Sequence, residues 1–96
     1  MTPEGKVKQR VKKLLDQFKH YRFMPVQMGM GTVTLDFLIC VNGRFCAIET
    51  KAPGKEPTEL QRQTIRNIRA AGGETFVISD DNGLDALHKW LILSSK

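Results

Sequence analysis

The chain has 96 residues, which is enough for one domain and too few for two of ordinary size. Hydrophobic residues make up 41% and charged residues 26%, a composition that excludes a disordered or collagen-like chain. Fifteen lysines and arginines against ten aspartates and glutamates give a net charge of +5, so a polyanion is the first partner to consider, beside the plainer interpretation of a basic surface.

Membrane, secreted and zinc-binding classes also fit poorly. No apolar run approaches the ~18 residues of a membrane span. The first 25 residues are basic and amphipathic and lack the apolar block of a signal peptide. Two cysteines, Cys40 and Cys46, are too few for a disulfide scaffold or a four-ligand zinc site. We therefore expect a cytoplasmic protein without a membrane partner.

The first predicted elements are a helix and a weak strand. Thr2 to Glu4 forms a helix start, with a hydroxyl N-cap, a proline at the first position and an acid in the first turn. Tyr21 to Met28 predicts a short edge strand, because Pro25 interrupts it, and Gly29 to Gly31 predicts a turn. Apolar residues continue the helix at helical spacing, at Val7, Val11, Leu14, Leu15 and Phe18.

A β-hairpin is predicted in the middle of the chain. Thr32 to Val41 is dense in β-branched and aromatic residues, and Arg44 to Lys51 predicts the return strand. Asn42-Gly43 between them is typical of a two-residue hairpin turn. Both faces of the hairpin are largely apolar, so we expect it in the centre of a covered sheet.

The remaining elements complete a small mixed α/β sandwich with the order α-β-β-β-α-β-α, in one domain over residues 1–96. Thr58 to Gln61 matches a capping box, which predicts a helix start. The predicted elements are a loop over Ala52 to Pro57, a helix to about Ala71 stopped by Gly72-Gly73, a strand over Glu74 to Ser79, a loop over Asp80 to Gly83 and a closing helix from Leu84 to about Leu93.

The two-residue turn also predicts which hairpin residues face each other. Counting back from the turn pairs Asp36 with Glu49 and Thr34 with Lys51. Opposed side chains point to one face, with Cβ atoms roughly 4.5–5.5 Å apart. The sequence therefore predicts that Asp36, Glu49 and Lys51 cluster on one face of a central hairpin.

That cluster is typical of a metal site. Two carboxylates side by side repel each other among apolar neighbours, and a divalent cation removes the conflict. Mg²⁺ is usually held by one or two carboxylates with waters and a substrate phosphate, where it polarises the phosphate and lowers the pKa of a bound water. Lys51 would then orient the water or offset transition-state charge. The alternative is a buried ion pair between Lys51 and Asp36 or Glu49, with no chemistry.

The same register separates the cysteines. Cys40 lies on the Asp36 face and Cys46 on the opposite face, which excludes a disulfide between them within the hairpin. We expect both to be core packing residues.

Taken in order, these residues resemble the virus-type replication-repair nuclease (VRR-NUC) domain of the PD-(D/E)xK nuclease superfamily. The resemblance spans residues 2 to 79 and implies a restriction-endonuclease-like α-β-β-β-α-β core, here followed by a C-terminal helix. The chain departs from the family at Leu35, where the family usually has proline before its aspartate. The resemblance is carried by Glu4, Gly31 through Asp36, Asn42 through Phe45, Ala47 through Lys51, Pro53-Gly54, Pro57-Thr58, Gln61 and Ile68 through Gly73.

The resemblance implies a Mg²⁺- or Mn²⁺-dependent phosphodiesterase. It assigns Asp36 and Glu49 as metal-binding acids, the Thr50 carbonyl as a further metal ligand, Lys51 as the catalytic lysine, Glu4 as the helix-borne acid and Gln61 as the motif glutamine. Two of these residues have structural alternatives: Glu4 as an acid that interacts with the helix dipole, and Gln61 as the capping-box side chain.

The resemblance also implies the substrate and the assembly. Stand-alone domains of this family resemble Holliday-junction resolvases and act as homodimers, so it implies an endonuclease of branched DNA in a bacterial or phage-infected cell. The alternatives are a flap-cleaving or restriction-like nuclease, and a catalytically silent DNA-binding module of the same fold.

Two further patterns concern partners. Arg62, Arg66 and Arg69 recur at helical spacing and, with the lysines of the first helix, predict a surface that binds phosphate backbone without reading sequence. The alternative is a solvated helix face. Lys55, in the loop just beyond Lys51, is a further candidate for contact with DNA. The apolar run Trp90 to Leu93 predicts a dimer interface, with core packing as the alternative. His20 and His88 have no predicted role.

Overall fold

A computed structural model of the chain describes residues 1–26 and 33–96. Within this part, the elements follow the predicted order α-β-β-β-α-β-α, and they form a mixed α/β domain with a four-stranded sheet and three helices. The predicted turn at Gly29 to Gly31 lies outside the described residues. The elements are α1 (Pro3–Leu15), β1 (Tyr21–Phe23), β2 (Phe37–Val41), β3 (Arg44–Thr50), α2 (Glu59–Ala70), β4 (Glu74–Ile78) and α3 (Asp81–Ser94).

The sheet has the strand order β1-β2-β3-β4, so the predicted hairpin provides its two inner strands. β1 and β3 run antiparallel to β2, and β4 runs parallel to β3. Asn42 and Gly43 have φ angles of 52° and 82°, as the predicted two-residue turn requires. The central position of the hairpin and the edge position of β1 are both confirmed.

The start of β2 differs from the prediction. The strand begins at Phe37 rather than Thr32, and its ladder with β3 ends at the Phe37–Ile48 pair. The predicted register is confirmed for every pair of this ladder, from Val41–Arg44 to Phe37–Ile48. The ladder stops before the predicted pairs of Asp36 with Glu49 and of Thr34 with Lys51, so these two ladder pairs are wrong. The reason is that the Asp36 side chain accepts a hydrogen bond from the Thr50 backbone N–H, which takes the place of a main-chain contact there.

The helix starts show how local signals set these boundaries. Thr2 caps α1 as predicted, since its hydroxyl accepts a hydrogen bond from the Gly5 N–H at 3.0 Å. α3 begins at Asp81, three residues before the predicted Leu84, because the Asp80 carboxylate caps it by accepting from the Gly83 N–H. Four residues predicted as a loop are thus a cap and the first turn of a helix.

The core lies on one face of the sheet. The alternate side chains of β2 and β3 that point to this face pack with apolar residues of α1 and α3. The fully buried members are Val11, Leu15, Phe37, Ile39, Val41, Cys46, Ile48, Ile78, Leu87 and Leu91.

The two cysteines are free, as predicted, and lie on opposite faces. Cys46 is a core residue, but the core role predicted for Cys40 is wrong because Cys40 is exposed. Tyr21 and Phe45, its cross-strand neighbours on the same face, are themselves 69% and 44% exposed.

The C-terminal apolar run divides between core and surface. Leu91 is buried in the core, whereas Ile92 and Leu93 are 42% and 64% exposed. Core packing thus explains only part of the run, and the dimer interface stays a prediction for the exposed pair.

In the described part of the chain, no helix is both long enough and apolar enough to cross a membrane.

Candidate active site

The candidate site lies at the end of the two inner strands of the sheet, where β2 begins and β3 ends. Because the two strands are antiparallel, the residue that precedes β2 and the last residues of β3 lie at the same edge. This places Asp36 close to Glu49 and Thr50 without a ladder pair between the two acids. The predicted strand register brings the two acids together as far as the Phe37–Ile48 pair, and side-chain contacts then hold Asp36 in place.

One carboxylate oxygen of Asp36 is fixed by the protein. Its Oδ2 accepts hydrogen bonds from the Thr50 backbone N–H at 2.9 Å and from the Thr50 hydroxyl at 2.6 Å. Its Oδ1 faces the Lys8 ammonium at 3.8 Å. The side chain is 17% exposed, so Oδ1 is the oxygen through which Asp36 can bind a ligand.

Glu49 also has one engaged and one unpaired oxygen. Its Oε2 accepts a hydrogen bond from Gln61 Nε2 at 3.0 Å and lies 3.6 Å from Lys51 Nζ. Its Oε1 is buried and has no hydrogen-bond partner among the described residues. A buried carboxylate oxygen without a partner is unfavourable, and a bound cation would satisfy it.

The electrostatics of Glu49 agree with that geometry. Burial first, and then the nearby carboxylates of Asp36 and Glu4, raise the pKa of Glu49 from its ordinary 4.5 to about 7. The Lys51 ammonium, and to a smaller extent a hydrogen bond from the Asp36 backbone N–H, lower the pKa of Glu49 only in part. Near neutral pH this carboxyl group therefore holds a proton about half of the time, unless a cation takes the proton's place.

Glu4 lies close enough to the site for its charge to act on Glu49. It occupies the first turn of α1, as both of its predicted roles require. In the described part of the chain, no group of three or more His, Cys, Asp or Glu side chains is arranged to hold a metal ion. Asp36 and Glu49 nevertheless offer one oxygen each, and Mg²⁺ is commonly held by one or two carboxylates plus water and phosphate.

Gln61 combines the two roles that the sequence left as alternatives. Its Oε1 accepts from the Thr58 backbone N–H at 2.9 Å, and its backbone N–H donates to the Thr58 hydroxyl, which completes the capping box. Its side-chain nitrogen donates to Glu49. The start of α2 is therefore joined directly to the candidate site.

Lys8 contacts the site through Asp36, although the sequence placed it only among the first-helix lysines that would bind phosphate backbone. It lies one helical turn after Glu4, so both side chains are on the face of α1 that approaches the sheet edge. That spacing of an acid and a lysine was the available signal, but Lys8 is one of five basic residues of α1, and nothing in the sequence distinguished it as the one that contacts Asp36.

Lys55 and the three arginines predicted to bind DNA lie outside this cluster. Lys55 is exposed in the loop after β3. The three arginines of α2 are exposed as well, but each forms an ion pair with a glutamate, which partly balances its charge. The pairs are Arg62–Glu56 at 3.1 Å, Arg66–Glu59 at 2.9 Å and Arg69–Glu74 at 3.2 Å.

Comparisons of the chain with protein-family models and with curated protein sequences found no match. The function of the site is therefore inferred from its own residues and geometry.

Proposed function

We propose that the protein is a Mg²⁺- or Mn²⁺-dependent DNA endonuclease of the VRR-NUC type, with a restriction-endonuclease-like core. The observation that carries this proposal is the buried, unpaired Oε1 of Glu49, in a carboxylate on which the charge of Asp36 acts, together with the available Oδ1 of Asp36. Two carboxylate oxygens presented in this way fit a hard divalent cation. They fit a purely structural ion pair less well, because such a pair would leave no buried oxygen without a partner.

Asp36 and Glu49 would hold the metal, with the Thr50 carbonyl as the further predicted ligand. When bound, the metal supplies charge that polarises a phosphodiester and acidifies a water molecule. The other contacts keep the two acids in place: Thr50 holds one oxygen of Asp36, and Gln61 holds one oxygen of Glu49. This leaves the remaining oxygens oriented before any ligand arrives.

Lys51 is the proposed catalytic lysine. Its side chain is only 14% exposed, and its ammonium lies 3.6 Å from Glu49 Oε2. From this position it can donate to a phosphate oxygen or to the attacking water, and it can stabilise the negative charge that develops at phosphorus.

Branched DNA is the proposed substrate, and a homodimer is the proposed assembly. A four-way junction needs two symmetric cuts, and Ile92 and Leu93 on α3 supply exposed apolar surface for an interface. Lys55 and the arginines of α2 would contact the phosphate backbone.

The proposal is tested by incubating the protein with Mg²⁺ and four DNA forms: a four-way junction, a flap, a single strand and a linear duplex. We expect paired nicks in the junction, and no nicks with Asp36→Asn or Glu49→Gln. If wild-type protein binds all four DNA forms and cuts none, the silent DNA-binding alternative replaces the nuclease proposal.

A further inference from the structure

Lys8 and a metal ion would use the same oxygen atom. Asp36 Oδ2 already accepts two hydrogen bonds from Thr50, so Oδ1 is the oxygen left for a further partner. The Lys8 ammonium occupies that side of the carboxylate, at 3.8 Å from Oδ1. The Lys8 side chain is 32% exposed, so it contacts solvent as well as Asp36.

A cation bound at Oδ1 would therefore meet the charge of Lys8. Mg²⁺ binds oxygen at about 2.0–2.1 Å, which would place it within about 6 Å of the ammonium if Lys8 did not move. Two cations repel strongly at that separation where water is partly excluded. The flexible four-carbon stem of lysine allows the ammonium to turn away from the carboxylate.

The displaced ammonium would lie next to the position that the substrate must take. A phosphodiester bound beside Asp36 brings more negative charge, and lysine is a common point-charge partner of phosphate. Among the described residues, Asp36 is the one carboxylate within 4.0 Å of Lys8. Once the metal takes Asp36, a DNA phosphate at the site can bind the Lys8 ammonium, in competition with Glu4 one turn earlier on the same face of α1.

We propose that Lys8 is a phosphate-binding residue of the site: it pairs with Asp36 before metal binds, and it binds a backbone phosphate next to the scissile bond after the metal displaces it. This inference rests on the proposed nuclease function. In this inference, the Lys8–Asp36 ion pair occupies the metal position until metal binds, and it is not a structural contact that holds α1 to the sheet.

The first test measures Mn²⁺ binding to DNA-free protein by calorimetry. Lys8→Met removes the competing cation, so we expect the Mn²⁺ affinity to rise by about threefold or more. Lys12→Met is the matched control. It removes the same charge one turn along α1, from a residue that has no carboxylate within 4.0 Å in the described part of the chain. We expect Lys12→Met to change the Mn²⁺ affinity little. Lys8→Gln should act in the same direction as Lys8→Met.

The second test measures DNA binding against salt concentration, with Lys51→Met present throughout to prevent cutting. With Mn²⁺, adding Lys8→Met should lower the slope of log affinity against log salt by about 1, as the loss of one phosphate contact predicts. With EDTA the slope should barely change, because Lys8 is then held by Asp36.

The outcomes separate this inference from the proposed function. If wild-type protein binds no Mn²⁺, both proposals fail. If wild-type protein binds Mn²⁺, but Lys8→Met leaves its affinity unchanged or lowers it, Lys8 is a structural partner of Asp36 and only this inference fails. An equal slope change with Mn²⁺ and with EDTA would overturn it as well.

Discussion

Gln61 donates a hydrogen bond from its side-chain nitrogen to Glu49 Oε2 at 3.0 Å. The other end of the same amide accepts from the Thr58 backbone N–H, so one side chain both caps α2 and holds a site carboxylate. Because the amide has one acceptor end and one donor end, each contact fixes the orientation that the other needs. The stability of α2 and the position of Glu49 are thereby coupled.

Two substitutions at Gln61 should separate these roles. Gln61→Glu keeps an acceptor for the capping box but places a carboxylate against Glu49. We expect near wild-type stability at pH 5, where Glu49 is protonated, and a loss at pH 8. Gln61→Ala removes the capping side chain at both pH values, and it should lower the free energy of unfolding by about 1 kcal/mol at pH 5. Urea unfolding measures both, and equal stability of Gln61→Glu and wild type at pH 8 would contradict the coupling.

The raised pKa of Glu49 predicts how stability depends on pH without metal. The folded protein holds this proton more tightly than the unfolded chain, with a pKa of about 7 against an ordinary value of 4.5. The resulting stabilisation is fully present below pH 4.5 and is lost as the pH rises through 7. It amounts to about 3 kcal/mol at most, at 1.36 kcal/mol per pKa unit.

Glu49→Gln should remove this pH dependence, because the amide stays neutral. The measurement is the difference in the free energy of unfolding between wild type and Glu49→Gln, in EDTA, from pH 4.5 to pH 8. Saturating Mn²⁺ at pH 8 should stabilise the wild type and leave Glu49→Gln nearly unchanged. A difference that does not vary with pH would show that Glu49 is already ionised at low pH.

Metal binding should depend on pH for the same reason. A cation that binds Glu49 must displace its proton, so metal affinity should rise by up to tenfold per pH unit below about 7 and level off above it. Calorimetry in buffers of different ionisation enthalpy would count the released proton. Binding that is independent of pH between 5 and 8 would mean that Glu49 is not a ligand.

Lys51→Met should abolish cutting while sparing binding. We expect nicking of four-way junction DNA to fall by about 100-fold or more, because a charge that stabilises the transition state is lost. Mn²⁺ affinity should not fall, since Lys51 is a cation beside Glu49 rather than a ligand. Lys55→Met is the comparison, and it should weaken DNA binding at low DNA concentration but leave cutting at saturation intact.

Asp36→Asn tests whether one oxygen of this residue has a structural role while the other binds the metal. An asparagine oxygen can still accept from the Thr50 N–H, so the start of β2 should persist and stability should change little. Metal affinity should fall sharply, because the charged ligand is gone. Asp16→Asn, at a carboxylate paired with Arg22 away from the site, should change neither the metal affinity nor the cutting rate.

Much of the fold is local in origin and could therefore be predicted from the sequence. The caps at Thr2 and Thr58, the turn at Asn42-Gly43 and the edge strand at Tyr21 depend on residues a few positions apart. The predicted hairpin also brought Asp36 and Glu49 to the same end of the sheet. The prediction of a strand pair failed at Asp36, because there the side chain, rather than the backbone, accepts the hydrogen bond from the Thr50 N–H. The alternation of residues along a strand does not predict such a side-chain contact.

The sequence by itself determined the order of the elements, the turn and the presence of two acids and a lysine near one end of a hairpin. Only the tertiary structure decided which oxygen of each acid is engaged, that Gln61 reaches Glu49 and that Lys8 faces Asp36. These contacts join residues on different elements, and they depend on how α1 and α2 pack against the sheet. This packing depends on the whole core, so it cannot be predicted from any short stretch of the sequence.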